Sequence, residues 1–179
     1  MAGTVIAGSV IQTADGVYFD YLDPDPAHFT LNAIAQGLAN TCRFGGHCNR
    51  FYSVAEHSVH VAGIVEPVIA VYGLLHDAAE AFIGDVPSPL KALLPDFQVV
   101  EKRIETALLA SFGLDPAGLR LIKEADLAML EIEHRALFDR HDEWVCTQGV
   151  ELPDVEIECW DPKRAKQNFL WAAQDLGLS

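Results

Sequence analysis

Ser53-Val54-Ala55-Glu56-His57-Ser58 holds a helix start and, one turn later, a polar residue where an apolar one belongs. Ser53 and Glu56 have the spacing of a capping box. The serine hydroxyl can accept from the third amide of a helix while the glutamate reaches back to the serine amide. A helix therefore starts at Val54 and runs to about Val65, with Val54, Val61, Ile64 and Val65 along one face. His57 and Ser58 sit one turn after Val54, so an imidazole is turned inward.

Toward the N-terminus, Gly45-Gly46 breaks the chain into a loop. Before it, Leu31, Ile34, Ala35 and Leu38 recur at helical spacing and predict a helix from about Ala27 to Asn40. Asp23-Pro24-Asp25-Pro26 reads as a connector. Asp15-Gly16, with Val10 and Ile11 before it and Val17, Tyr18 and Phe19 after, predicts a two-residue turn in a hairpin from about Val10 to Phe19.

Toward the C-terminus, a helix is expected from Pro67 to near Gly84, with Pro87 and Pro89 marking a turn. Phe97 to Phe112 has helical periodicity and Gly113 is a natural terminator. Asp115-Pro116 and Asp161-Pro162 are paired cap-and-proline starts, for a long helix to about Arg140 and a last one to Leu176. Val155 to Cys159 is a candidate strand beside the N-terminal hairpin. The expected fold is mainly α: a helical bundle with a small N-terminal β-hairpin and one added C-terminal strand, in a single domain of 179 residues.

The formal charge of -14 argues against a nucleic-acid polymer, whose binding rests on many Lys and Arg contacts to phosphate. A small anionic substrate is compatible with it, because a bound cation and one or two arginines can meet the charge locally. Half of the residues are hydrophobic, yet no apolar run reaches the ~20 residues that span a bilayer. No membrane association is expected. The first residues lack the basic start and small-residue cleavage pattern of a secretory signal, so the expected compartment is the cytoplasm. Cys42, Cys48, Cys146 and Cys159 do not form a disulfide framework, and Cys42 and Cys48, with His47 beside the second, lack the Cys-x-x-Cys spacing of a zinc knuckle.

Two further helices repeat the anomaly at His57. Val71, Leu74 and Leu75 lead directly into His76-Asp77, and Asp126 interrupts the stripe of Leu119, Ile122, Met129 and Leu130. Aspartates are seldom buried unless paired or bound to a metal. A salt bridge to Lys123 would also serve Asp126. Taken together, two imidazoles and two carboxylates supply a mixed nitrogen and oxygen set that suits a divalent cation.

Tyr52 to Ser58, then His76-Asp77-Ala78-Ala79-Glu80, then Gly84-Asp85-Val86-Pro87-Ser88-Pro89-Leu90-Lys91, then Glu124-Ala125-Asp126, resemble the ordered signature of the HD-domain phosphohydrolases. Within that group the chain is most similar to the 5'-deoxynucleotidases and to small phage and bacterial relatives that hydrolyse deoxynucleoside triphosphates. The likeness covers roughly Arg43 to Arg135.

The resemblance implies that His57, His76, Asp77 and Asp126 hold one divalent ion (Mn, Co, Zn, Fe or Mg). It implies that Glu80 orients or activates the attacking water and that Asp85 also serves the active site. Arg43 matches an arginine that contacts substrate phosphate. Phe44 stands where the deoxynucleotidases have a tryptophan associated with rejecting a ribose 2'-hydroxyl, so sugar selectivity departs from the pattern there. Lys91, His47 and Arg50 are further candidates for phosphate contact. The expected activity is hydrolysis of a nucleotide phosphoester, with triphosphate release from a substrate such as dATP as the alternative. A silent nucleotide-binding domain is the reading from another class, and the presence of Glu80, Asp85 and Arg43 speaks against it. Relatives of this kind assemble, so a dimer or larger homo-oligomer is implied.

Overall fold

Strands β1 (Val10–Gln12) and β2 (Tyr18–Asp20) pair antiparallel with Ile11 opposite Phe19. The computed structural model describes residues 8–140 and 142–178; residues 1–7, on which the expectation about a secretory signal rests, lie outside them. The Thr13 amide donates to the Val17 carbonyl at 2.9 Å, which leaves Ala14, Asp15 and Gly16 as a three-residue loop in place of the expected two-residue turn. Gly16 has φ 78°, the left-handed geometry that such a loop requires at its last position. The hairpin anchors through Phe19, which is fully buried and stacks on Phe82 at 4.4 Å.

Helix α1 (Leu31–Asn40) starts later than the periodicity suggests, because the Thr30 hydroxyl caps it by accepting from the Ala33 amide at 3.0 Å. Pro26–His28 is a separate 3₁₀ turn, capped by Asp25. Helix α2 (Val54–Ile64) begins as expected, with the Ser53 hydroxyl accepting from the Glu56 amide at 3.1 Å. The other half of the capping box does not form. The buried Glu56 carboxylate accepts instead from the amides of Cys159 at 2.9 Å and Trp160 at 2.6 Å.

Those two bonds explain a correction at the C-terminal end. Val155 to Cys159 is not a strand, and among the described residues the sheet has two strands only. Its final amide goes to a buried carboxylate, and Cys159 turns the chain at φ 62°. Val155, Ile157 and Cys159 nevertheless pack on the cluster of Tyr52, Val61 and Met129, which accounts for the alternating apolar pattern.

The helix expected from Pro67 to Gly84 is broken into a 3₁₀ turn (Pro67–Ile69), α3 (Ala70–Leu75), a turn over residues 76–79, and α4 (Glu80–Ile83). Through that turn the amides of Ala78, Glu80, Ala81 and Phe82 each bond three residues back. Winding at three residues per turn stacks Asp77 and Glu80 on one side. The chain continues through α5 (Ser88–Lys91) and α6 (Pro95–Ser111). The long helix expected from Pro116 is likewise two pieces, a 3₁₀ segment (Pro116–Ile122) and α7 (Lys123–Leu137). The break at Ile122 lies four residues before Asp126. Helix α8 (Pro162–Asp175) is capped by Asp161, as its sequence predicts.

Helix α2 runs between two apolar clusters: Val54 and Ala55 belong to one with Leu74, Leu75, Leu108 and Phe169, and Val61 to the other with Ile122 and Met129. Helix α3 lies close against it at Gly73, where a Cβ would stand 2.8 Å from the Ala62 Cα. The result is mainly helical with a two-stranded hairpin. Among the described residues no helix is long and apolar enough to cross a membrane.

Candidate metal centre

His57, deep on α2, and His76, which ends α3, meet because those helices touch. Their Nε2 atoms are 3.1 Å apart. Asp126, in the first turn of α7, points Oδ1 at both, 3.4 Å from His57 Nε2 and 3.8 Å from His76 Nε2. One donor atom from each of these three residues lies within 4.8 Å of the others. The second Asp126 oxygen takes Lys123 at 3.0 Å, so the salt bridge and the inward contact coexist.

Asp77 approaches from the neighbouring position. Its Oδ2 is 3.1 Å from His76 Nε2 and 3.6 Å from His57 Nε2, but it also accepts from Arg43 at 3.4 Å, and it is not one of the three mutually close donors. All four residues predicted as ligands are thus brought to one place. Burial by itself would raise both carboxyls, yet the imidazoles of His57 and His76 hold Asp77 and Asp126 well below the usual carboxylate range.

Tautomers follow from the outer nitrogens. His76 Nδ1 lies 2.8 Å from the Gly73 carbonyl, which can only accept, so Nδ1 carries the proton and Nε2 is free for an ion. His57 Nδ1 lies 2.6 Å from Glu133 Oε1.

Arg43 is a buried cation between α1 and α2, not a surface one. Its Nε donates to Glu133 at 3.0 Å and its Nη1 to Asp77 at 3.4 Å. Burial works against its charge, but Glu133, Asp77, Asp85 and Glu80 more than restore it. Glu80 is buried with Oε2 unpartnered, and burial, followed by repulsion from Asp77 and Asp85, pushes its carboxyl well above the usual range. Asp85, after α4, is raised by burial and then by repulsion from Asp77.

The other candidates sit at the margin. Phe44 has φ 57° and packs edge-on against Phe138 at 5.2 Å, with the Arg43 guanidinium 5.4 Å from its ring. Lys91 is tied to Glu101 at 2.6 Å, while its charge still reaches Glu80 and Asp85. His47 and Arg50 are exposed. Cys42 and Cys48, on either side of Arg43 and Phe44, are free thiols with sulfurs 3.7 Å apart.

Two residues at the site are given no role by the sequence: Glu133, and Tyr52, which enters there only as the start of a signature segment. Glu133 is fully buried and accepts from Tyr52, His57 and Arg43, and Tyr52, also fully buried, donates its hydroxyl to it at 2.9 Å. The signal for Glu133 was present: it lies seven residues after Asp126, on the same face of α7.

No protein-family model matches the chain. It is 40% identical over 148 residues to the uncharacterized protein YfdR of Escherichia coli K12, covering 82% of this chain and 83% of that one. The chain belongs to the YfdR family. An uncharacterized protein of Rhodobacter capsulatus is 38% identical over 139 residues, 69% of this chain and 71% of the relative. Neither YfdR nor this second relative carries an activity in its name.

Proposed function

We propose that this chain is a metal-dependent phosphohydrolase of the HD-domain kind that cleaves a phosphoester bond of a (deoxy)nucleotide. The observation that carries the reading is the convergence of His57, His76 and Asp126 within 4.8 Å, with Asp77 against both imidazoles and Arg43 against Asp77. Three separate elements deliver these groups. An inward imidazole on one helix would be an ordinary core residue; two whose Nε2 atoms face each other and a carboxylate are a donor set.

His57, His76, Asp77 and Asp126 would hold one divalent ion of the Mn, Co, Zn, Fe or Mg kind. Such an ion supplies Lewis acidity and lowers the pKa of water toward ~7. Glu80, buried with one carboxylate oxygen unpartnered, would in its ionised form orient the attacking water and take its proton. Asp85 helps keep the pKa of Glu80 high. Arg43 uses Nε for Glu133 and keeps its outer nitrogens for Asp77 and a phosphoryl oxygen, where it would neutralise developing charge. In the net reaction the phosphorus gains the water oxygen and loses the leaving oxygen, which takes up a proton. Phe44 stands beside Arg43 and would border the sugar. The nucleotide is the proposed partner, and self-association into a homo-oligomer goes with the same reading.

The test is product analysis. The full chain, stripped with chelator and reloaded separately with each of the five metals, is incubated with dAMP, dATP, AMP and ATP. Metal-dependent release of phosphate or of triphosphate is expected, and His76→Ala should abolish it. No release with any metal, or a His76→Ala protein as active as the wild type, would overturn the proposal. Tight nucleotide binding without turnover would assign a silent binding domain instead.

A further inference from the structure

Glu133 is a carboxylate with no exposure, on α7, and three donors from three parts of the chain converge on it. Oε1 accepts from the Tyr52 hydroxyl at 2.9 Å and from His57 Nδ1 at 2.6 Å, and Oε2 accepts from Arg43 Nε at 3.0 Å. Burying a charge is costly without such partners, so the arrangement needs a reason beyond packing. A methionine or leucine of similar volume would fill a buried position without that cost.

The reason lies in what a carboxylate can do. Ionised, it only accepts, so His57 must keep a proton on Nδ1, and once an ion has displaced the proton on Nε2 the lone pair there faces His76 and Asp126. The same group grips Arg43 by Nε while Nη1 donates to Asp77. We propose that Glu133 is a positioning residue for both halves of the site: through one oxygen it holds His57 in the ion-binding tautomer, and through the other it holds Arg43 for substrate phosphate. This rests on the metal-dependent reading above.

An amide cannot replace it. In Glu133→Gln, one of the two ends becomes a donor, facing either Arg43 Nε–H or the His57 and Tyr52 side. In the first case the guanidinium is released; in the second the His57 proton is driven to Nε2, which then cannot bind an ion. His76 is an internal control, since its tautomer is set by the Gly73 carbonyl and not by Glu133.

The experiment uses Co²⁺ as the probe, titrated into the full chain through its visible absorption. In Glu133→Gln, Co²⁺ affinity should fall by about 10- to 100-fold with an altered spectrum, the range seen when the partner of a ligating histidine is removed. The nucleotide KM should rise with the fall in kcat. Glu133→Asp, which keeps the charge one methylene short, should recover part of the Co²⁺ affinity. A purely structural carboxylate would lower the melting temperature of the ion-free chain and leave the Co²⁺ affinity of the folded variant unchanged; that result overturns the inference. Should neither variant fold, ¹⁵N spectra of the zinc-loaded wild type decide: His57 must keep its proton on Nδ1, and its absence there sinks the proposal. A wild-type chain that binds neither ion overturns the metal reading itself, and the inference with it. Ion binding that is indifferent to Glu133 overturns the inference alone.

Discussion

The Nε2 atoms of His57 and His76 stand 3.1 Å apart although the two residues belong to different helices. Two lone pairs do not face each other at that distance without a proton or a cation between them. Without an ion the proton resides on His57: burial and Arg43 push its pKa down, but Glu133 and Asp126 outweigh them and raise it to about 9. A base raised in this way stabilises the ion-free chain fully below its unfolded value of ~6.5, and that contribution is lost as pH rises through about 9. A metal ion has to displace this proton. Mn²⁺ affinity should therefore climb about tenfold per pH unit from neutrality and level off above pH ~9. Titrations at several pH values measure this, and a flat profile would contradict it.

Glu80 presents the opposite case, a buried acid whose raised carboxyl works against stability. Its carboxyl is pushed up by burial and by Asp77 and Asp85, and Oε2 has no partner. For an acid raised in this way, stability falls as pH rises from the unfolded carboxylate value toward the folded one. Glu80→Gln removes the titrating carboxyl and keeps a permanent donor for the neighbouring carboxylates. It should raise stability by about 1–2 kcal/mol while lowering kcat by about 10²-fold or more. Thermal melts and initial rates on the same preparation test both halves; a destabilised Gln variant with full activity would show Glu80 to be an ordinary structural residue.

Which parts of this were legible in the sequence follows from what each signal depends on. Helix starts with a side-chain cap, at Ser53 and Asp161, were read correctly because the capping partner is three residues away. The breaks after Leu75 and at Ile122 were not, because the local pattern there stays helical and the break is visible only in the three-residue winding of the turn. Val155 to Cys159 misleads for a related reason: its alternation reflects burial on α2 and α7, and its last amide, with that of Trp160, is taken by Glu56, about a hundred residues earlier. The four ligand candidates stood out as polar residues on apolar faces. Glu133 carries the same mark, but a glutamate near the end of a helix reads as solvated until its partners are seen.

Arg43 distinguishes a buried network from a surface charge. Its guanidinium is held between Glu133 and Asp77, both enclosed by the site. Arg43→Ala leaves Oε2 of the buried Glu133 without its cationic partner and should destabilise the chain by about 3–5 kcal/mol, against about 0.5 kcal/mol or less for a surface arginine. Chemical denaturation measures the difference. A loss in the lower range would mean that Glu133 is neutralised by His57 alone.

Gly73 sets the separation of the two imidazoles. A Cβ there would lie 2.8 Å from Ala62 Cα and 2.9 Å from Ala62 N, backbone atoms of α2 that cannot rotate aside, so Gly73→Ala must push α3 away from α2. His57 rides on one helix and His76 ends the other, and the Gly73 carbonyl also receives the His76 Nδ1 proton. Overpacking of this kind costs about 1–3 kcal/mol, and Mn²⁺ affinity should fall with it because the donor set opens. Gly63, on α2 with open space around it, is the matched comparison. Gly63→Ala should stabilise by about 0.4–1 kcal/mol through the unfolded chain and leave ion binding unchanged. If both substitutions weaken Mn²⁺ binding equally, helix separation is not what sets the site.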